Sequence, residues 1–381
     1  MRRRLLHTVL HATMALSMKA LNRLGSNPQV YYAGGLALAL GGLLLLKALP
    51  NTFDAEASSS LEAERCTFVV TGASQGVGRA VSCLLAKQYP HARLVLVSRR
   101  ENLLRDLAEE LRSTRRALLK GQPGGPVLYY QADCAVASEV TAVCNRLQQE
   151  TAAAAAAAAA QAAGAEPAAA PPAFSLMRFF GLAGAPAAQG ALHVVTCAGV
   201  GTWRAIFEDD ATAEDTERCL SAPLLSTLHT AHAFLPTMLA RGCAGRFVCV
   251  QSPASRLAWP GATAYTAARW GLRGLCAALA QDLPSGGPVS VCEVILSEVT
   301  DSAYFSANPG SRERLPSIAP LFGRLTSEAA AHSVVDAMRR GTREYIAPIQ
   351  LFLGLSTLWV PGVEGVFSWL VRVTGWKVSR R

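Results

Sequence analysis

An apolar run, Cys66 to Val70, leads directly into Thr71-Gly72-Ala73-Ser74-Gln75-Gly76-Val77-Gly78, and a helix-like stretch, Arg79 to Lys87, follows. Strand, glycine turn and helix in that order leave few architectures open. Gly72 permits a tight turn as the strand ends, Gly76 lets the backbone come close to a bound group, and Gly78 lets the helix approach the sheet. The backbone N–H groups of such a turn point at an anion, and a dinucleotide pyrophosphate is the ligand that fits strand, turn and helix together.

Six further segments read as strands: Arg93 to Val97, Val127 to Gln131, Leu192 to Thr196, Gly245 to Gln251, Val289 to Ile295 and Glu344 to Ala347, with helical stretches between them. The alternation predicts an α/β chain, a Rossmann-type doubly wound parallel sheet of about seven strands with helices on both faces. The predicted catalytic domain spans 66–348.

Downstream, Ser252 is followed thirteen positions later by Tyr265 in the string Tyr265-Thr266-Ala267-Ala268-Arg269. With the glycine turn, this spacing resembles the short-chain dehydrogenase/reductase family over roughly Cys66 to Pro348. The family's turn is T-G-x-x-x-G-x-G, and its catalytic string is a serine, about thirteen residues, then Y-x-x-x-K. The resemblance implies a nicotinamide dinucleotide held by Thr71, Gly72, Ser74, Gln75, Gly76, Val77 and Gly78. It further implies Asp133 at the adenine, Cys197, Ala198 and Gly199 under the adenosine ribose, Tyr265 and Arg269 beside the nicotinamide ribose, and Ser302 at the carboxamide. Ser297-Glu298 stands at the family's Pro-Gly position, and Tyr304 to about Phe322 is expected to form a variable substrate lid. The second strand ends Val97-Ser98-Arg99-Arg100 with no acid for a ribose 2′-hydroxyl, and two guanidiniums there suit a 2′-phosphate, so NADP(H) is the expected cofactor.

Reduction of a ketone by hydride needs a proton at the developing alkoxide, and a free tyrosine with a pKa near ~10 needs a neighbouring cation to supply it near neutral pH. By the resemblance Tyr265 is the proton donor, Ser252 bonds the substrate oxygen, and Ser255 is a weaker candidate because it lies three residues closer to Tyr265. Position 269 shares a helix face with 265. Arginine there keeps a permanent cation but presents a planar fork where the family has a compact ammonium. Five lysines against thirty-one arginines show a chain that favours arginine generally. A second departure is Pro223, at the register of the family asparagine that holds a relay water; proline has neither a side-chain donor nor an N–H. Thr196 and Cys197 stand where the family has asparagines. Two readings follow: an active reductase, or an NADP(H)-binding pseudoenzyme of the same fold acting as a membrane-anchored sensor or scaffold.

The formal charge of +9 raises the question of nucleic acid, but basic residues gather at the two ends and no basic cluster interleaved with aromatics lies in the core, so no nucleic-acid partner is expected. Ten cysteines without a C-x-x-C pair or zinc spacing predict buried thiols and no metal. The first 53 residues contain no acid, and Val30 to Leu46 is at the lower length limit of a membrane span. A membrane anchor is the main reading of 1–53, and a transit peptide the other. Residues 349–381 hold three tryptophans, Trp359, Trp369 and Trp376, beside a basic end, which suits a segment lying among lipid headgroups; a buried helix capping the substrate pocket is the alternative. Ala152 to Ala160, nine alanines in a row, opens an insertion at 151–190 in which polyalanine extends the preceding helix until Pro167, Pro171 and Pro172.

Gly261-Ala262-Thr263-Ala264-Tyr265 with Gly271-Leu272-Arg273-Gly274-Leu275 is similar to the 3-ketodihydrosphingosine reductase branch, and the membrane-bound 11-beta-hydroxysteroid dehydrogenases are similar over much of the same length. Both imply a lipid or steroid-like ketone reduced at a membrane, foremost the endoplasmic reticulum, with a plastid or mitochondrial membrane as the alternative. The family also implies a homodimer through the helix carrying Tyr265.

Overall fold

The computed structural model describes residues 66–163, 190–199, 201, 203–359 and 362–377. Within them β1 (Thr67–Thr71), the glycine turn and α1 (Gly76–Gln88) follow one another as the sequence predicts. They continue into β2 (Arg93–Ser98), α2 (Glu101–Leu118), β3 (Val127–Gln131) and α3 (Ala137–Ala163). The chain resumes at β4 (Leu192–Thr196) and passes through α4 (Ala213–Leu220), a π turn at Ser221–Leu225 and α5 (Ser226–Ala240) to β5 (Gly245–Gln251). Then come α6 (Thr263–Asp282), β6 (Val289–Leu296), the short β7 (Glu298–Val299), α7 (Tyr304–Ala307) and β8 (Arg324–Leu325). The described chain ends with α8 (Ser327–Arg340), β9 (Glu344–Ala347), α9 (Ile349–Ser356) and α10 (Val363–Thr374).

Seven strands form one parallel sheet in the order β3-β2-β1-β4-β5-β6-β9, with β7 and β8 paired as a separate ribbon. The order reverses between β1 and β4, and the carboxyl ends flanking that reversal are where a doubly wound sheet leaves its crevice. Strands buried on both faces need continuous apolar runs, which TFVVT, RLVLVS and LHVVT supply. Phe68, Leu94, Leu96 and Val248 pack toward α1, α2 and α8 on one face. Val69, Val95, Val194 and Phe247 pack toward α3, α5 and α6 on the other.

Polyalanine does extend its helix: α3 runs on to Ala163, as alanine's propensity favours. Where α4 gives way to α5, Pro223 is buried inside the π turn and the Ser226 N–H bonds back to the Ser221 carbonyl. A proline lacks the donor an α-turn requires, and its ring crowds the preceding turn, so the helix widens there.

The C-terminal stretch, expected as a headgroup segment after a domain ending at 348, packs on the sheet domain in the structure. Helices α9 and α10 pack on the body: Leu351, Leu355, Val363, Val366 and Phe367 form one buried cluster with Leu257 and Ile295. That packing is the arrangement the capping alternative describes. Among the described residues no helix is long and apolar enough to cross a membrane; Val30 to Leu46 lies outside them, as does most of the insertion.

Candidate active site

A cleft of about 620 Å³ opens along the carboxyl ends of the central strands, between the glycine turn and the segments after β5 and β6. Gly72, Ser74, Gln75, Gly76 and Val77 line one end of it, and Ser252, Tyr265 and Arg269 line the interior. Thr71 ends β1 buried just beneath the turn, and its carbonyl accepts from the Cys197 N–H at 3.2 Å. The two strongest predicted motifs, far apart in sequence, therefore share one cavity.

The turn is a fitted cradle. Gly72 has a φ of +68°, and a Cβ there would lie 2.8 Å from the Ala198 nitrogen. At Gly78 a Cβ would come within 2.3 Å of the Gly72 carbonyl oxygen, so only glycine lets α1 sit this close to the turn. Helix α1 has no side-chain cap and no acid in its first turn, which leaves its first N–H groups and the positive end of its dipole for an anion. These residues fit a dinucleotide pyrophosphate.

The residues expected at the adenosine are held by specific contacts. Arg100 donates from Nη2 to the Ser74 hydroxyl at 2.9 Å, joining the end of β2 to the glycine turn. Arg99 pairs with Asp133 at 3.7 Å, both side chains in contact with solvent. Asp133 accepts from the Ala135 N–H at 2.9 Å. Beside it Cys134 is buried, and burial, then the Asp133 and Glu139 carboxylates, push its thiol up to about 12. Cys197 is likewise pushed up to about 12 by burial, so neither thiol offers a thiolate to chemistry. Ala198 and Gly199 line the cleft next to it. Thr196 turns to the sheet instead, donating to the Val248 carbonyl at 3.3 Å and accepting from Thr227 at 3.3 Å. Ser302 lines the cleft opposite the turn, its hydroxyl donating to the Val299 carbonyl at 3.0 Å.

Tyr265 stands in the first turn of α6, only 5% exposed. Its ring lies 5.1 Å from that of Trp203, and the Arg269 guanidinium carbon sits 5.0 Å from its centroid. A cation on the face of a phenol ring is favourable. Ser252 follows the last residue of β5 and caps a 3-10 turn by accepting from the Ala254 N–H at 3.3 Å. Ser255, the weaker candidate, is fully buried and spends its hydroxyl on the Ser252 carbonyl at 2.8 Å, away from the cleft. Pro223 does not line the cleft, whereas its neighbours Ser221, Ala222 and Ser226 do.

Several site residues escaped the sequence reading. Trp203 and Trp259 meet edge to face at 5.6 Å, and Trp203 donates from its indole nitrogen to the Tyr304 hydroxyl at 3.0 Å, which in turn donates to the Gly201 carbonyl at 3.3 Å. Burial, then the neighbouring Tyr265 phenol, hold the Tyr304 hydroxyl well above the usual tyrosine range, so it stays protonated. Leu257, Phe322, Leu351, Leu355 and Val371 complete an apolar wall. Tyr304 and Phe322 do fall in the predicted lid. That lid is fastened to the loop after β4: Asn308 accepts from the Gly201 N–H, Ser311 from the Trp203 N–H, both at 3.1 Å, and Arg314 grips Glu208 with two nitrogens at 2.5 and 2.6 Å. The Arg314 fork also covers the Trp376 ring at 4.4 Å, bringing the residues after α10 onto the lid. No aromatic spacing in the sequence reveals this subsite; the fold gathers it from five separate segments.

The short chain dehydrogenase family matches residues 182–307, which include Ser252, Tyr265 and Arg269. A putative oxidoreductase, SadH, of Mycobacterium tuberculosis is 27% identical over 147 residues, 37% of this chain and 53% of that protein. The 2,3-dihydroxy-2,3-dihydro-p-cumate dehydrogenase of Pseudomonas putida is 29% identical over 156 residues, 40% of this chain and 58% of its own length. The matches thus span little more than half the length of these relatives. Among solved structures, an alcohol dehydrogenase from Thermococcus sibiricus complexed with 5-hydroxy-NADP aligns with a TM-score of 0.52 at 20% identity, over 74% of this chain and 97% of the other. A short chain dehydrogenase/reductase from Burkholderia phymatum in complex with NAD aligns at 0.55 and 19% identity, over 78% and 94%. The fold is that of these enzymes.

Proposed function

We propose that this chain is an NADP(H)-dependent oxidoreductase that reduces a ketone on an apolar, lipid-like substrate. The observation that carries the reading is the meeting of the glycine cradle with Ser252, Tyr265 and Arg269 in one cleft. Bound NADPH would supply the hydride. The Ser252 hydroxyl would donate to the ketone oxygen, and the Tyr265 hydroxyl would deliver the proton that oxygen requires as negative charge develops on it. Arg269 would keep its guanidinium on the face of the Tyr265 ring as the proton leaves. Ser74 and Arg100 together suit a 2′-phosphate, which supports NADP(H) over NAD(H).

The apolar wall supports a substrate whose body is hydrocarbon: apart from Tyr304 and the two indoles, the wall formed by the lid and the C-terminal helices offers few polar groups. The acid-free N-terminal 53 residues with their apolar run support a membrane as the source of such a molecule. A second reading, a dinucleotide-binding protein without turnover, is favoured by Pro223, which offers no donor where a water relay would be held.

The test is NADPH oxidation with 3-ketosphinganine and a panel of lipid and steroid ketones, beside Tyr265→Phe, with NADPH affinity read by fluorescence. Turnover lost in the variant supports the reductase. Tight NADPH binding without turnover on any ketone supports the second reading, and recovery by Arg269→Lys with Pro223→Asn would identify its cause.

A further inference from the structure

Gln251 is the last residue of β5, next to Ser252, and only 3% exposed. Its single amide makes three hydrogen bonds that link both reactive elements. Nε2 donates to the Arg269 carbonyl at 2.9 Å, while Oε1 accepts from Arg269 Nη1 at 3.3 Å and from the Ser252 N–H at 3.2 Å. The partners fix the amide's orientation: a guanidinium and a backbone N–H only donate, and a carbonyl only accepts. Arg269 Nη1 donates a second time, to the Val250 carbonyl at 3.2 Å. On the other side Gly199 closes the seat, since a Cβ there would stand 3.0 Å from Arg269 Nη2.

A buried cation needs acceptors, and the chemistry of the acceptor matters here. A carboxylate would hold the guanidinium and cancel its charge; an amide oxygen holds it and leaves the charge standing. The buried Glu293 carboxylate of the adjoining strand β6 pairs with Arg256 at 3.4 Å rather than with Arg269, and the Gln251 side chain is also among its hydrogen-bonding neighbours. We propose that Gln251 is a positioning residue, the neutral clamp that keeps the Arg269 cation on the Tyr265 ring and ties its helix to the backbone of Ser252. The proposal rests on the oxidoreductase reading for its effect on turnover, while the clamp itself can be read without turnover.

The experiment measures kcat and KM for NADPH-dependent ketone reduction, and Tm, in the full chain carrying Gln251→Leu or Gln251→Glu, each with Arg269 and with Arg269→Lys. The near-isosteric glutamate guards against a leucine variant that fails to fold. Both variants should lower kcat about tenfold or more with KM changed less than about threefold, the pattern of a lost transition-state effect. The loss on Gln251→Leu should shrink below about threefold beside Arg269→Lys, whose shorter ammonium does not use the clamp, and the Tm changes should be non-additive. An equal loss of kcat in both backgrounds, or additive Tm changes, would overturn the proposal. If the wild-type protein turns over none of the ketones, the oxidoreductase reading fails, and the Tm cycle alone decides whether the clamp exists.

Discussion

The Arg269 guanidinium carbon lies 5.0 Å from the centroid of the Tyr265 ring, one helical turn away on the same face of α6. In the proposed reduction, that cation faces the phenol from which the proton would come. Arg269→Leu should therefore reduce kcat about 10²-fold, the low end of what positioned acid–base catalysis supplies, and Arg269→Lys should stay within about tenfold of wild type. Steady-state rates with NADPH near saturation test both, and equal rates in all three proteins would separate Arg269 from the chemistry.

Arg100 reaches the Ser74 hydroxyl at the edge of the cradle, where a 2′-phosphate would meet both. A charge-assisted bond contributes about 1.5–3 kcal/mol. Arg100→Ala should weaken NADPH relative to NADH by about ten- to a hundredfold, measured by fluorescence titration of each nucleotide. An unchanged ratio would move the selectivity elsewhere.

Gly78 has no room for a side chain, because the Gly72 carbonyl lies 2.3 Å from where a Cβ would be. Gly78→Ala must push α1 away from the turn, at about 1–3 kcal/mol for such overpacking. Dinucleotide affinity should fall by more than stability does, which calorimetry with and without nucleotide would separate.

His193 is buried in β4 against Phe68, their rings 5.2 Å apart, and burial, then nearby Arg246, lower its pKa to about 3. Unfolded, it titrates near 6.5, so between those values the unfolded chain binds a proton that the folded chain refuses. Its contribution is whole above pH 6.5 and is lost as pH falls toward 3, at about 2–3 kcal/mol by pH 4.5. His193→Phe should flatten this part of the stability profile in denaturant titrations at pH 7 and 4.5. A profile as steep as wild type would place the acid sensitivity in other groups.

The Arg314 side chain holds Glu208 in a two-pronged ion pair, both nearly buried, and that bond is the first cause keeping the Glu208 carboxyl below its usual range. A depressed carboxyl contributes its stability above the ordinary carboxylate range and loses it as pH falls through the folded value. Glu208→Gln leaves Arg314 short of its charge partner, at about 3 kcal/mol. Limited proteolysis at pH 7 should then cut within Tyr304 to Phe322 sooner than in the wild type, and an unchanged cleavage rate would show that the lid is held by other contacts.

The strands were legible because parallel strands buried on both faces read as short apolar runs: four of the seven predicted ranges coincide with the observed strands, and the other three stop one residue short of the observed end. The glycine turn was legible because Gly72 and Gly78 answer to backbone contacts inside one short segment. Gln251 was not, since an amide at a strand end acquires meaning only when α6 lies across it. Nor were Trp203 and Tyr304, which meet from positions a hundred residues apart. The C-terminal helices kept two readings for another reason: hydropathy records that Leu355, Val366 and Phe367 avoid water, and lipid and protein satisfy that equally.

The placement of Leu351, Leu355 and Val371 on the cleft also orders assembly in time. Domains fold as units, N-terminal ones first, as synthesis proceeds. The glycine turn and Ser252, Tyr265 and Arg269 are synthesised well before α9 and α10, so the sheet and its last strand, β9, close as a unit only when that apolar wall is about to emerge. Chains cut short on the ribosome would carry an open, oily trough, a ready target for chaperones and for self-association.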